Sequence, residues 1–274
     1  MDAGTALLGV VGHPVAHSLS PAFWEPALRH DGRNAVFLAF DVQAQDFAAF
    51  VEGMRVAGAR GFNVTVPHKG PAFDLSTERS EAAEGTGAVN VLVFEEGKVM
   101  GSNTDVQGVV EAVRDLGVEL GGSRALVLGA GGAGRAAAFA LARSGAEVRV
   151  ANRTPQRARE LGHPVVEWAD VPDAAGDFDL IVHTTTVGMD GESSVLGQDV
   201  LRSAAGRNLR AVLDVVYRPD ETPLVRAARA AGLRTADGLR MLVHQAAEAW
   251  QLFFGSPAPA DVMHEAAAAA AGRR

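Results

Sequence analysis

Three polar clusters lie within the first 105 residues, each directly after an apolar run, and their residue types suit acid–base and anion chemistry. The first is GHPVAHSLSP, from Gly12 to Pro21, where the hydroxyls of Ser18 and Ser20 can each donate to a carboxylate and Pro14 and Pro21 restrict the backbone on either side. In the second, GFNVTVPHKG, Asn63 and Thr65 alternate along a strand that Pro67 stops just before Lys69. The third runs from Asn90 in GAVNV to Asp105 in GSNTDVQG. A lysine can give both a proton and a nearby positive charge to an oxygen that becomes negative in a transition state. An aspartate within bonding distance would keep that ammonium charged and could accept from a ligand hydroxyl. The same residues also suit a turn, a solvated lysine and a plain helix N-cap, so both readings stand at this level.

A second kind of chemistry is carried by RALVLGAGGAGRAAAFALARSGAEVRVANRTPQR. A strand at Ala125–Leu128 ends at Gly129, Gly131 permits close backbone approach to a pyrophosphate, and Gly134 lets the following helix, Arg135–Arg143, pack on the sheet. A second strand, Glu147–Ala151, completes the unit expected of a dinucleotide site. An NAD site usually has Asp or Glu at the end of that strand to bond the ribose 2'-hydroxyl, whereas this chain has Asn152, Arg153, Thr154 and, one turn on, Arg157. Two guanidinium groups and a hydroxyl suit a 2'-phosphate, so the expected cofactor is NADP. Read blandly, Arg153 and Arg157 are solvated charges on a helix start.

The elements that must position these residues follow an α/β pattern, with strands expected near Leu7–Val11, Ala35–Phe40, Gly61–Val66, Val89–Phe94, Ala125–Leu128, Glu147–Ala151, Leu180–His183, Ala211–Val216 and Arg234–Ala236, in a mainly parallel arrangement. A change of style over Asn103–Gly122 divides an N-terminal α/β substrate domain from a Rossmann-type domain. Leu239, Leu242, Val243, Ala246, Trp250 and Phe253 mark one buried face of a late helix, and Glu265–Ala271 reads as a terminal helix. If the late helix packs back on the first domain, the domains are 1–103 with 239–274, and 104–238, with the ligand cleft between them. A net charge of -8 argues against a nucleic-acid partner. With no cysteine, no signal peptide pattern and no apolar run near the ~20 residues of a membrane span, a cytoplasmic protein, monomer or homodimer, is expected. The eight histidines show no metal-ligand spacing, so no metal is expected, and His13, His17, His68 and His244 are read as structural.

Taken together, GHPVAHSLSP, NVTVPHK, GAVN, NTDVQG, GAGGAGRA, NRTPQR, VGM, DVVYRPDETPL and GLRMLVHQAAEAW resemble, in order and spacing, the shikimate dehydrogenase family, and the likeness covers essentially the whole chain. The resemblance implies reversible NADPH-dependent reduction of 3-dehydroshikimate to shikimate, on the way to chorismate and the aromatic amino acids. It implies that Ser18 and Ser20, with Tyr217, bind the substrate carboxylate, and that Thr65, Lys69, Asn90, Asp105 and Gln245 surround the ring hydroxyls and the reacting carbon. Lys69 and Asp105 would be the catalytic pair. For the cofactor it implies Gly129, Ala130, Gly131, Gly132, Ala133, Asn152, Arg153, Thr154, Arg157, Thr184, Val215, Gly238 and Met241. Tyr217 equally suits a loop anchor beside Pro219 and Pro223, and Met189 in VGM suits either packing or a cofactor contact.

The chain departs from the family pattern at Trp24, where His is usual, at Glu25 and His183, where Asn is common, and at Val91 in place of Thr. None of these removes a residue of the implied catalytic set. Two other readings share the fold: a dehydrogenase of quinate or an aminated shikimate analogue, and a binding protein without catalysis, against which the intact Lys69 and Asp105 count.

Overall fold

The computed structural model describes residues 1–272 and resolves them into two units, residues 1–104 together with 245–272, and Asp105–His244. In the first unit, strands β1 (Ala6–Gly12), β2 (Ala35–Asp41), β3 (Gly61–Val64), β4 (Glu78–Arg79), β5 (Val91–Glu95) and β6 (Lys98–Ser102) form one sheet in the order β2-β1-β3-β5-β6-β4. β1 runs parallel to β2 and β3, but β5 is antiparallel to both β3 and β6. This sheet is therefore mixed, not simply parallel, and β4 and β6 are absent from the expected strands. Their signal is weak: β4 has two exposed residues, and in β6 only Val99 and Gly101 are buried. The β5–β6 hairpin turns through Glu96 and Gly97, at φ 49° and 79°, the two left-handed positions that a tight hairpin requires.

Trp24 finds its explanation in this unit. It lies on the helix Ser20–His30, is fully buried, and stacks on Phe37 at 4.6 Å between ring centroids, with Trp250 at 5.6 Å and Phe253 edge-on at 5.8 Å. Trp250 and Phe253 belong to the apolar face of the helix Gly238–Phe254, so the large indole fills the space where that face meets β2. Neighbouring Glu25 accepts from the Phe37 backbone N–H at 3.3 Å, and Val91 is wholly buried on β5. The terminal helix, Ala260–Gly272, begins earlier than its alanine run suggests and packs against Ser20–His30.

The second unit is a wholly parallel sheet of β7 (Arg124–Leu128), β8 (Glu147–Ala151), β9 (Leu180–His183), β10 (Ala211–Asp214) and β11 (Arg234–Ala236), in the order β11-β10-β9-β7-β8. Ala125, Val127, Leu180, Val182 and Leu213 face one apolar layer, while Leu126, Leu128, Ile181 and Val212 face another. Burial on both faces is why these strands read as continuous apolar runs and not as alternations. The helix Gly132–Arg143 covers one face with Ala137, Ala138, Ala140 and Leu141, small side chains that allow a close approach.

Asp179 ties the entry of β9 to that of β7. Its Oδ2 accepts from the Arg124 backbone N–H at 2.9 Å and from Nε at 3.2 Å. Burial alone would raise this carboxyl, but the Arg124 hydrogen bonds and charge outweigh it and hold the group below the usual carboxylate range. A carboxylate lowered on folding stabilises the native state above its unfolded pKa, and that contribution fades as pH falls through the folded value. Asp179→Asn should therefore lower stability near pH 7, and the gap to the parent should close on acidification when urea midpoints are compared across pH; a gap that does not change with pH would refute this role.

Candidate active site

Backbone hydrogen bonds bring the three polar clusters of the first unit together. The loop after β1 starts at Gly12, where a Cβ would lie 2.4 Å from Thr65 Cγ2, so only glycine admits Thr65 at that distance. The His13 N–H bonds the Val66 carbonyl at 2.9 Å, which seats the Ser18–Ser20 loop against the Thr65–Lys69 segment. The third cluster joins through Val64 N–H to Asn90 O at 2.7 Å and Val89 N–H to Lys69 O at 2.9 Å. Ser20 is the first residue of the helix Ser20–His30, whose N-cap, Leu19, offers no side-chain acceptor; Ser18 Oγ takes the Ser20 N–H at 3.3 Å. A helix start of this kind, flanked by two hydroxyls, favours an anion. Lys69 is half-buried at the start of the helix Lys69–Leu75.

Behind these residues lies a buried amide and hydroxyl network. The Thr104 N–H donates to Asn90 Oδ1 at 2.7 Å, Asn90 Nδ2 donates to Thr104 Oγ1 at 3.0 Å, and Thr104 Oγ1 donates to Gln245 Oε1 at 3.3 Å. Asn90 and Gln245 are 2% and 7% exposed, so these bonds fix both amides far more firmly than at a surface. Asn103 adds a bond from Nδ2 to Thr86 Oγ1 at 2.9 Å. Thr104 and Asn103 carry no weight in the sequence reading, although they hold the backbone that leads directly into Asp105. Asn63 Oδ1 is buried with no hydrogen-bond partner among the described residues.

In the second unit, Asp105 is the buried first residue of the helix Asp105–Asp115, and Tyr217 lies half-buried beyond β10. At the carboxyl ends of β7, β8 and β9 a cavity of about 230 Å³ is lined by Gly129, Ala130, Gly131, Asn152, Arg153, Trp168, Thr184, Thr185 and Thr186. Six of the expected cofactor residues share this cavity; Gly132, Ala133, Thr154, Arg157, Val215, Gly238 and Met241 do not line it. Trp168, Thr185 and Thr186 line it unforeseen, since nothing in their spacing marks them. Val215 and Gly238 meet each other instead: a Cβ on Gly238 would lie 1.9 Å from the Val215 carbonyl. Met241 belongs to the apolar core of this unit.

The residues around the cavity suit the phosphate portion of a dinucleotide. Gly131 caps the helix Gly132–Arg143 without a side-chain bond, so the first-turn N–H groups and the positive end of the dipole point outward. A Cβ on Gly131 or Gly132 would meet nothing within 4 Å, which leaves a cradle open to a phosphate. A Cβ on Gly134, in contrast, would lie 2.3 Å from the Gly129 carbonyl, and Gly129 itself is at φ 119°. Gly129 and Gly134 are thus required by packing, whereas Gly131 and Gly132 are not. Arg153 is the charged side chain on the lining, and no carboxylate joins it there.

The histidines divide by environment. His68 Nε2 bonds the Val42 carbonyl at 2.7 Å and the ring stacks on Phe47, while His244 and Arg240 bond Asp115 at 2.9 and 3.0 Å. His13 pairs with Asp41 at the surface, and His183 is buried in a chain of bonds treated below. Among the described residues no three of His, Asp and Glu gather as a metal site, and no helix is long and apolar enough to cross a membrane.

Comparison with known proteins covers nearly the whole chain. Family models match at residues 10–92 (shikimate dehydrogenase substrate binding domain), 111–239 (shikimate / quinate 5-dehydrogenase) and 238–268 (shikimate 5'-dehydrogenase C-terminal domain). A protein named shikimate dehydrogenase (NADP(+)) from Acidiphilium cryptum is 42% identical over 268 residues, covering 96% of each chain. Another of that name from Halobacterium salinarum is 44% identical over 263 residues, covering 94% of this chain and 97% of its own. Among solved structures, shikimate 5-dehydrogenase from Thermus thermophilus in complex with NADP(H) and shikimate superposes with a TM-score of 0.88 at 40% identity, covering 97% of this chain and all of that one.

The division of labour among the glycines gives a direct test. Gly131→Val should cost no more than about 1 kcal/mol of stability, the worth of a helix cap, because a Cβ there meets nothing within 4 Å, yet weaken dinucleotide binding about tenfold or more in a fluorescence titration. Unchanged binding would remove Gly131 from the cradle.

Proposed function

The chain belongs to the shikimate dehydrogenase family, and on that premise we propose that it catalyses the reversible NADPH-dependent reduction of 3-dehydroshikimate to shikimate in aromatic amino-acid biosynthesis. The observation that carries this reading is the buried Asn90–Thr104–Gln245 network, which offers fixed amides suited to ring hydroxyls immediately before Asp105. With it go a cytoplasmic location and a monomer or homodimer as the working form.

NADPH, when bound, supplies the hydride. Delivery of hydride to the carbonyl carbon leaves an alkoxide, which needs a proton and a compensating charge. Lys69 gives both through its ammonium, and Asp105 balances that charge and accepts from a substrate hydroxyl. Ser18 and Ser20, at a helix start, hold the substrate carboxylate with help from Tyr217, and Thr65, Asn90 and Gln245 hold the ring hydroxyls. On the cofactor, Gly131 and Gly132 with Ala130 and Ala133 take the pyrophosphate. Asn152, Arg153, Thr154 and Arg157 take the 2'-phosphate. Thr184, Val215, Gly238 and Met241 are proposed at the nicotinamide end.

Initial rates with shikimate and quinate against NADP+ and NAD+ test the assignment: shikimate with NADP+ should be the fastest pair, and a preference for quinate would replace the substrate. Lys69→Ala should lower kcat by about 10³-fold with little change in shikimate affinity, since its main interaction belongs to the transition state. Near-normal turnover would remove Lys69 from the mechanism. Arg153→Ala should raise KM for NADP+ by about tenfold or more and leave KM for NAD+ nearly unchanged, and equal effects on both would sink the 2'-phosphate assignment.

A further inference from the structure

His183, the residue at which the chain leaves the family pattern on the cofactor side, ends β9 directly beside Asp214, the last residue of β10. Both are buried, at 1% and 0% exposure. The Asp214 carboxylate accepts from three groups: the Val216 N–H at 3.1 Å and His183 Nδ1 at 2.8 Å on Oδ1, and the Thr222 hydroxyl at 2.6 Å on Oδ2. Thr222 in turn caps the helix Pro223–Ala230 by accepting from the Val225 N–H. A carboxylate can only accept, so the hydrogen on this side of the imidazole sits on Nδ1. In a neutral ring, Nε2 is then an acceptor, and it lies 2.5 Å from Thr185 Oγ1. The Thr185 hydroxyl therefore spends its proton inward on His183, while its oxygen also accepts the Val187 N–H at 3.2 Å.

Thr185 lines the 230 Å³ cavity and His183 does not. We propose that His183 is a positioning residue for the cofactor: through the Asp214–His183–Thr185 chain it fixes the Thr185 hydroxyl so that the cavity meets a hydrogen-bond acceptor there. The ligand group that suits it is a donor, a ribose hydroxyl or a carboxamide N–H, and not a phosphate oxygen. This rests on the reading of the cavity as the dinucleotide site. The chain of bonds is a property of His183 itself, since a side chain as short as asparagine can serve Asp214 but ends before Thr185.

That difference supplies the variant. His183→Asn keeps a donor for the buried carboxylate, so the fold is retained, and cuts the link to Thr185; Thr185→Val removes the hydroxyl at nearly constant shape. His183→Asn should raise KM for NADP+ about five- to tenfold, with kcat changed by less than about twofold and KM for shikimate unmoved. Thr185→Val should raise KM for NADP+ by a similar factor, and the double variant should be no worse than the more affected single one, because both break the same chain. A structural role for His183 would instead lower the melting temperature and shift both KM values. An unchanged KM for NADP+ in His183→Asn, or single effects that multiply in the double variant, overturns the proposal. If Gly131→Val and Arg153→Ala weaken dinucleotide binding in that case, only the His183 link falls. If they do not, the cavity reading falls with it.

Discussion

The second unit depends on one close approach, that of the helix Gly132–Arg143 to the end of β7. Gly134 comes so near the Gly129 carbonyl that no side chain fits between them, and the alanines that follow let the helix lie flat on the sheet. That contact aims the helix N-terminus across the carboxyl ends of β7 and β8, and so fixes where an anion can be held. Everything else on the cavity is arranged around this end: the β8 exit supplies Asn152 and Arg153, and the β9 exit supplies Thr184 to Thr186. Thr184 is itself pinned to the β7 exit, its N–H and its hydroxyl both reaching the Leu128 carbonyl, at 2.8 and 2.9 Å. A helix seated even one side chain higher would lose both the cradle and the wall.

The first unit solves a different problem, since it must hold polar side chains rigid in its interior. Its answer is to bury amides that satisfy one another, Asn90 with Thr104 and Gln245, over a core of stacked rings that includes Trp24, Phe37, Trp250 and Phe253. Such networks are costly when broken and rigid when complete. Lys69 is half-buried at the start of the helix Lys69–Leu75, its carbonyl bonded by the Val89 N–H one residue before Asn90.

What the sequence made legible follows from how locally each feature is encoded. The glycine turn, the basic exit of β8 and the clusters around Ser18, Lys69 and Asn90 declare themselves within ten residues or so, and the structure gathers them as three neighbouring segments and one cavity. β4 and β6 stayed hidden because β4 is only two exposed residues and one of the two buried positions of the five-residue β6 is a glycine, and the mixed pairing of β5 is a matter of partner and not of composition. Trp168 and Thr185 were invisible as cavity residues for the same reason: each arrives from a connection whose course the sheet decides. Trp24, a departure from the family pattern, is core, because a residue facing β2 from the first helix answers to volume before chemistry.

His183 reverses that lesson. A buried imidazole beside a buried carboxylate would be an expensive way to fill space, since an apolar residue packs at no desolvation cost. The cost is offset only if every polar atom is used, and here both ring nitrogens are, one toward Asp214 and one toward Thr185. Asp214 in turn gathers the start of the helix Pro223–Ala230 through Thr222, so the exits of β9 and β10 are held as one piece. The charged side chain on the described cavity lining is that of Arg153, while the Asp214 carboxylate has its lone pairs turned to internal donors. Side-chain choice at the strand ends separates the two, with arginine after β8 and a fully hydrogen-bonded carboxylate at the end of β10.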